Sequence, residues 1–195
     1  MIYKDVIVGT TPSELVPINK NELLARLGQG VDLGSDTIIH NIQLYSDNVK
    51  YRYAYVKIPF ECKNGICCFE NEQVRSSALS TVLNDAKEVI MLSVTAGIEI
   101  DKLISKTSIQ SPASIFFIDA IASAGIESYM EYISEIICGG LNVTKRFSPG
   151  YADFPLEFQE YLLRRLDAKE NIGIMLSRDY LMIPMKSITA VIGMK

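Results

Sequence analysis

The feature that most constrains the fold is a long apolar stripe in the segment 111–140, SPASIFFIDAIASAGIESYMEYISEIICGG. Apolar or small residues recur there every three or four positions, which places their side chains on one face of an α-helix. Ser111 suits the cap, Pro112 the first helical position and Gly139 the stop. The spacing therefore predicts one long helix that packs along much of the core. Its predicted stripe consists of Ile118, Ala122, Gly125, Tyr129, Ile133 and Ile136.

The other segments predict helices and strands in an irregular order. A short helix is expected at 18–28, with a capping-box-like start at Asn19 and Glu22 and a stop at Gly28. Alternating aromatic residues from Tyr51 onward predict a strand. The whole order is two helices, two strands, one helix, one strand, three helices and two strands. Because this is not a βαβ alternation, we predict an α+β fold with a mainly antiparallel twisted sheet flanked by helices.

We expect a single domain over residues 1–195, because this length supports one sizeable core and is short for two. Within it we expect a helical segment at 1–50 and a core at 51–195. Asp153 and Pro155 are expected to begin a helix over LEFQEYLLRRLD, and residues 172–195 to form two strands separated by a polar stretch. His40 lies off the apolar face of its helix and is expected to be exposed.

Three of the four cysteines lie in the segment FECKNGICCF. Asn64-Gly65 predicts a two-residue type I′ hairpin, which sets Cys62 opposite Cys67 as a non-hydrogen-bonded pair. A metal or redox role for Cys62, Cys67 and Cys68 is one interpretation. We favour the other, in which these cysteines are small apolar fillings in a reducing cytosol.

Composition and motifs exclude several classes of function. A net charge of −4, a pI near 5.1 and the absence of a basic cluster argue against a nucleic-acid partner. No apolar run reaches the roughly 18 residues of a membrane span, and the start resembles no signal peptide, so we expect a cytoplasmic protein. The sequence contains no GxxxxGK[ST], GxGxxG, GxSxG, HExxH or CxxC motif. We therefore predict a binding module with no catalytic residue and no metal ligand of its own.

The segment KRFSPGYADFPLEFQEYLLRRL, residues 145–166, carries the candidate site. Arg146 offers a planar fork for a carboxylate, and Pro149-Gly150 forms a turn that lets a ligand approach the backbone. Tyr151 adds a flat face, while Asp153 and the helix start beyond it can hold polar atoms or form a cap. These parts suit a small zwitterion with an apolar or aromatic portion. The alternative is a surface turn with a solvated arginine and a core tyrosine.

The stretch RFSPGYADFP resembles the R-x-x-x-G-Y-x-x-x-P signature of the activation (reactivation) domain of cobalamin-dependent methionine synthase. Four further segments match that family in order, and INKNELLARLG is similar to the N-terminal segment of its free-standing clostridial-type members. The resemblance therefore spans nearly the whole chain. The other matching segments are MLSVTAGIEIDKLI, DAIASAGIESYMEYI and LMIPMKSITAVIG.

The resemblance implies an activation-domain-like fold and a concrete activity. Domains of this family bind S-adenosylmethionine and dock over the cobalamin that the synthase carries. An electron from flavodoxin or a similar donor reduces cob(II)alamin, and the methyl group of S-adenosylmethionine then traps the cofactor as methylcobalamin. The implied partners are thus a cobalamin-dependent methionine synthase, or another corrinoid protein, and a flavodoxin-like electron donor.

The resemblance also implies the roles of individual residues. Arg146 is expected to pair with the ligand carboxylate and Glu127 to face the cationic end of the ligand. Tyr151 is expected beside ligand and corrin, and the backbone around Asp153 in contact with the ligand. The implied S-adenosylmethionine-binding set is Glu127, Arg146, Pro149, Gly150, Tyr151 and Asp153.

Two positions depart from the family pattern. Gly140 stands where the fused enzymes carry an acidic residue six positions before the arginine, and Phe154 stands where they have cysteine. Glu131 or Asp153 are candidates to replace the missing carboxylate. Two hypotheses follow: a stand-alone reactivation subunit, or a docking module for a corrinoid protein that no longer binds S-adenosylmethionine.

Overall fold

The computed structural model describes residues 5–110 and 112–195. In that part of the chain, strands and helices are mixed, and the order is irregular as expected. The strands are β1 (Ile7–Thr11), β2 (Tyr51–Lys63), β3 (Ile66–Phe69), β4 (Glu72–Arg75), β5 (Glu88–Thr95), β6 (Met175–Leu176), β7 (Met182–Ile183) and β8 (Ser187–Met194). The helices are α1 (Lys20–Leu27), α2 (Asp36–Asn48), α3 (Ser77–Val82), α4 (Ile98–Gln110), α5 (Pro112–Cys138), α6 (Phe158–Arg165) and α7 (Ala168–Ile172).

The main sheet has the order β4-β3-β2-β5-β8, with β1 also paired to β2. Every pairing in it is antiparallel. The long strand β2 organises it: its first part pairs with both β1 and β5, and its last residues pair with β3. β6 and β7 form a separate two-stranded hairpin. This arrangement confirms the predicted α+β class and its mainly antiparallel sheet.

Each face of the sheet carries its own apolar core, because successive strand residues point to opposite faces. On β5, Ile90, Leu92 and Val94 pack in the core shared with α1, α2, α4 and α5, while Val89 and Met91 pack in the core shared with α6 and α7. β5 is therefore buried on both sides. The helices α5 and α6 consequently lie on different faces of one sheet.

The long helix α5 confirms the predicted stripe except at its end, since Ile136 is exposed. Gly125 is required for close packing: a Cβ there would overlap the Tyr45 ring. The Tyr45 and Tyr51 hydroxyls are 2.9 Å apart, and the Tyr51 ring stacks on Tyr129 with centroids 4.2 Å apart. Burial raises the pKa of Tyr51 to about 12, so its hydroxyl stays neutral in this cluster. The predicted cap, Ser111, lies outside the described residues.

Several element boundaries differ from the sequence prediction. The segment 1–50 is not purely helical, because it contains β1, whose pairing with β2 joins it to the main sheet. The last strand region contains three strands instead of two. Helix α6 begins at Phe158, not near Asp153, because residues 155–157 form a turn. The start and stop of α1 are confirmed: Asn19 Oδ1 accepts hydrogen bonds from Asn21 N and Glu22 N, and Gly28 has φ of 100°. His40 is exposed, as predicted.

The cysteine hairpin has the predicted register, with Cys62 opposite Cys67. The favoured interpretation of independent apolar fillings is wrong for these two residues, because the structure joins them in a disulfide. The hairpin register explains the pairing, since a non-hydrogen-bonded pair brings side chains closest. Cys67 still fills the core, while Cys68 is a free thiol and half-buried.

In the part of the chain that the structure describes, none of the helices could span a lipid bilayer.

Candidate functional site

A cavity of about 390 Å³ opens between α5, the loop that precedes α6, α6 itself and β8. It brings together four of the predicted site residues, although they come from elements on different faces of the sheet: Glu127 on α5, and Arg146, Pro149 and Tyr151 on the loop. Gly150 and Asp153 are not among its lining residues. The full lining consists of Glu127, Arg146, Phe147, Ser148, Pro149, Tyr151, Gln159, Met182, Ser187, Ile188 and Thr189.

The charged part of the cavity is one ion pair. Arg146 Nη2 donates a hydrogen bond to Glu127 Oε2 at 2.7 Å, with side chains 38% and 30% exposed. Among the described residues, Glu127 is the one hydrogen-bond partner of the Arg146 guanidinium, which has five N–H donors. Most of those donors therefore remain available. The two residues predicted to bind opposite ends of a zwitterion thus meet each other in this structure.

The loop holds its shape through backbone hydrogen bonds and one glycine. Phe147 N donates to Val191 O at 2.9 Å and Val191 N to Phe147 O at 2.8 Å, which fixes the loop against β8. Gly150 has φ of 89°, a left-handed conformation that a side chain disfavours, and Gly150 N donates to Phe154 O at 2.9 Å. The glycine therefore shapes the loop without lining the cavity. Tyr151, beyond the turn, is 64% exposed at the cavity mouth.

Phe154, the residue in place of the family cysteine, belongs to the core. It is buried, and its ring is nearly parallel to that of Phe147, with centroids 6.0 Å apart. Phe158 packs against it from α6 at 5.0 Å. Phe154 does not line the cavity, so it supports the loop from within the core.

The Asp153 carboxylate does not line the cavity and is hydrogen-bonded elsewhere. It accepts hydrogen bonds from Ser76 Oγ at 2.6 Å, from Ser77 N and Oγ at 2.7 and 2.6 Å, and from Ala78 N at 3.1 Å. These donors surround the start of α3. The hydrogen bond from Ser76, followed by those from Ser77, lowers the pKa of Asp153 well below its usual value. Asp153 thus caps α3 in space, and does not cap the helix that follows it in sequence.

Gly140 also has a structural role. It follows the end of α5 with φ of 79°, where a glycine terminates a helix without strain. It does not line the cavity, and neither does Glu131, which is exposed on α5. Glu131 and Asp153, the two candidates to replace the missing carboxylate, therefore both lie outside the cavity lining. Within the described lining, Glu127 is the single carboxylate.

Sequence reasoning missed the neutral polar part of the cavity. Thr189 Oγ1 donates to Gln159 Oε1 at 3.1 Å, and Gln159 Nε2 donates to Tyr180 O at 2.8 Å. Ser187 Oγ is hydrogen-bonded within the interior, to Pro184 O at 2.8 Å and Thr95 Oγ1 at 2.9 Å. The signal for Ser187 and Thr189 was the segment LMIPMKSITAVIG, and that for Gln159 was the predicted helix LEFQEYLLRRLD. Neither segment indicated which of its side chains line a cavity.

Comparisons with family models and with curated proteins find no match. Among solved structures, the chain is similar to one described as "Crystal Structure of the MetH Reactivation Domain bound to AdoHcy". The TM-score is 0.68 at 14% sequence identity, and the match covers 96% of this chain and 78% of that chain. At this identity the likeness shows the fold, which agrees with the predicted activation-domain-like architecture.

Proposed function

We propose that this protein is an S-adenosylmethionine-binding reactivation subunit for a cobalamin-dependent methionine synthase or a related corrinoid protein. The observation that carries the proposal is the cavity that collects Glu127, Arg146, Pro149 and Tyr151. The resemblance in sequence independently implies that each of these four residues contacts the ligand. The shared fold with a reactivation domain bound to AdoHcy adds support.

The lining fits the chemistry of the ligand. S-adenosylmethionine carries a carboxylate, an ammonium, a sulfonium and an adenine. Arg146 retains free N–H donors for the carboxylate while keeping its bond to Glu127, and Glu127 Oε1 is available for a cationic group. The aromatic rings of Phe147 and Tyr151, with centroids 6.4 Å apart, add flat surface and attraction for a cation.

The chain's own contribution to the reaction is binding and orientation. Holding the sulfonium methyl group in line with its acceptor lowers the entropic part of the barrier. When bound, S-adenosylmethionine supplies the methyl group and the partner's reduced cobalamin supplies the nucleophile. No proton transfer by a side chain is needed, so the neutral polar groups of the cavity serve recognition. A flavodoxin-like donor and a cytoplasmic setting belong to the same proposal.

Calorimetric titration with S-adenosylmethionine tests the proposal. We expect micromolar binding by the wild type and a loss of about 10- to 100-fold in Arg146→Ala, because a charge-assisted hydrogen bond to a carboxylate contributes about 1.5–3 kcal/mol. Arg75→Ala is the matched control, since Arg75 is an exposed arginine on β4 that does not line the cavity. Equal affinity of Arg146→Ala and the control would refute the site.

The docking-module hypothesis makes a different prediction. Its structural basis is the closed Arg146–Glu127 pair together with the single carboxylate in the described lining. A wild type that binds no S-adenosylmethionine, alone or with a corrinoid protein added, but still binds the corrinoid protein, would favour docking. Binding of S-adenosylmethionine that appears only with the corrinoid protein present would retain the reactivation role.

A further inference from the structure

The cavity lining divides by charge. α5 and the loop before α6 contribute the ionic groups Glu127 and Arg146, while α6 and β8 contribute neutral polar groups, Gln159 and Thr189. These two side chains are almost completely buried, with only 5% and 2% of their surface exposed. A ligand whose zwitterionic end pairs with the ionic groups leaves its neutral heterocycle to the others.

The hydrogen-bond directions of this neutral pair are fixed by the main chain. Tyr180 O can only accept, so the Gln159 amide must turn its Nε2 toward that carbonyl, at 2.8 Å. Gln159 Oε1 then faces Thr189, and only the Thr189 hydroxyl can donate across their 3.1 Å contact. The hydroxyl proton of Thr189 is thereby engaged in the hydrogen bond to Gln159. Toward the cavity, Thr189 can act only as an acceptor.

We infer that the Thr189–Gln159 pair selects a heterocycle that presents an exocyclic amine, and so distinguishes a 6-aminopurine from a 6-oxopurine. This inference rests on the proposed function and names the specificity-determining residues of the same site. The exocyclic amine of adenine donates to Thr189 Oγ1. The carbonyl oxygen of hypoxanthine at that position sets acceptor against acceptor in a buried place, where water cannot compensate.

The test compares S-adenosylhomocysteine with S-inosylhomocysteine, which differ in this donor. We expect the wild type to bind the adenosyl compound about tenfold or more tightly. Thr189→Val keeps the branched shape and removes the hydroxyl. The ratio of the affinities for the adenosyl and inosyl compounds should therefore fall toward one. Thr189→Ser restores the hydroxyl and with it the preference. Thr37→Val is the matched control, because Thr37 is exposed on α2 and does not line the cavity.

A second variant tests the orientation of the hydroxyl itself. Gln159→Met removes the acceptor that occupies the Thr189 proton. The freed hydroxyl can donate as well as accept, so S-inosylhomocysteine gains affinity relative to S-adenosylhomocysteine. A merely structural role for the pair would weaken both compounds equally and leave their ratio unchanged.

The outcomes separate this inference from the proposed function. Equal wild-type affinity for both compounds, with both lost in Arg146→Ala, overturns the inference and keeps the site. Binding of neither compound, with or without the corrinoid partner, overturns both. The wild-type comparison needs no substitution, so a variant that fails to fold does not remove the test.

Discussion

Two arginines of this protein each face carboxylates, and they differ in how far their hydrogen-bonding capacity is used. Arg165 on α6 is only 4% exposed and donates hydrogen bonds of 2.7–3.3 Å to both Asp5 and Glu70. Arg146 is 38% exposed and donates one such bond, to Glu127. The first guanidinium is committed to the fold, while the second keeps donors directed at a cavity.

The pKa shifts in the cluster of Arg165, Asp5 and Glu70 agree with a structural role for Arg165. Hydrogen bonding to Glu70 raises the pKa of Arg165 further above its already high value, and the hydrogen bond from Arg165 lowers the pKa of Asp5. Each group thus stabilises the charged form of its neighbour. The cluster ties the chain before β1 and the turn between β3 and β4 to α6. The comparison shows that an arginine becomes a candidate ligand group through unused donors at a cavity, and not through the presence of an acidic neighbour.

The largest effect is expected when the committed arginine is removed. Arg165→Ala should lower the free energy of unfolding by about 3 kcal/mol, the lower end of the range for breaking a buried pair, since Asp5 and Glu70 keep some access to water. Arg146→Ala should lower it by less than about 1 kcal/mol, as for other partly exposed pairs. Urea denaturation of both variants measures the difference.

Arg164→Ala provides the control, because Arg164 is adjacent on α6 and exposed, with its guanidinium 5.8 Å from the centroid of the Tyr161 ring. A loss at Arg164 equal to that at Arg165 would show that helix propensity, and not the buried cluster, determines the result. A loss at Arg146 as large as that at Arg165 would remove the distinction between the two regions.

An intermediate effect is expected when Arg146 is replaced by lysine, which keeps the positive charge but lacks the planar guanidinium group. Arg146→Lys should weaken S-adenosylmethionine binding about tenfold, close to 1.4 kcal/mol, since an ammonium cannot make two parallel hydrogen bonds to a carboxylate. Calorimetric titration measures the loss. An affinity of the lysine variant as high as that of the wild type would show that Arg146 acts only as a charge, and Arg75→Lys controls for the exchange itself.

The fold class and much of the candidate site could be predicted from sequence because both depend on local pattern. Side-chain spacing indicated the stripe of α5, and the Asn64-Gly65 turn indicated the register of Cys62 with Cys67. Arg146 and Tyr151 were identified by a short motif within one loop. Such signals need no knowledge of which distant elements meet.

The remaining parts depend on contacts between segments far apart in sequence. Asp153 resembled a cap for the next helix, but its four hydrogen-bond donors come from residues 76–78. From sequence, Gln159 resembled an ordinary helix residue, because its hydrogen bond with Thr189 on β8 joins positions 30 residues apart. The strand β1 has no pattern strong enough to predict, because its pairing with β2 creates it. Long-range packing decides these features, and local propensity does not encode them.

The smallest effect is expected for a carboxylate, Asp153, whose contribution to stability should depend on pH. Hydrogen bonds from Ser76 and Ser77 lower the pKa of Asp153 in the folded protein below its unfolded value near 3.8, so its stabilising contribution is complete above about pH 5 and is lost as the pH falls through and below 4. Asp153→Asn removes this titration. The urea midpoint of the variant should therefore fall less between pH 6 and pH 3 than that of the wild type.

Asp179→Asn is the matched control for the loss of one carboxylate, since Asp179 is exposed between β6 and β7. Asp5 titrates in the same direction in all three proteins, because Arg165 also lowers its pKa, and its contribution cancels in the comparison. An unchanged slope in Asp153→Asn would show that the cap of α3 does not depend on charge. In that case the hydrogen bonds from residues 76–78 would stabilise α3 equally well with a neutral side chain at position 153.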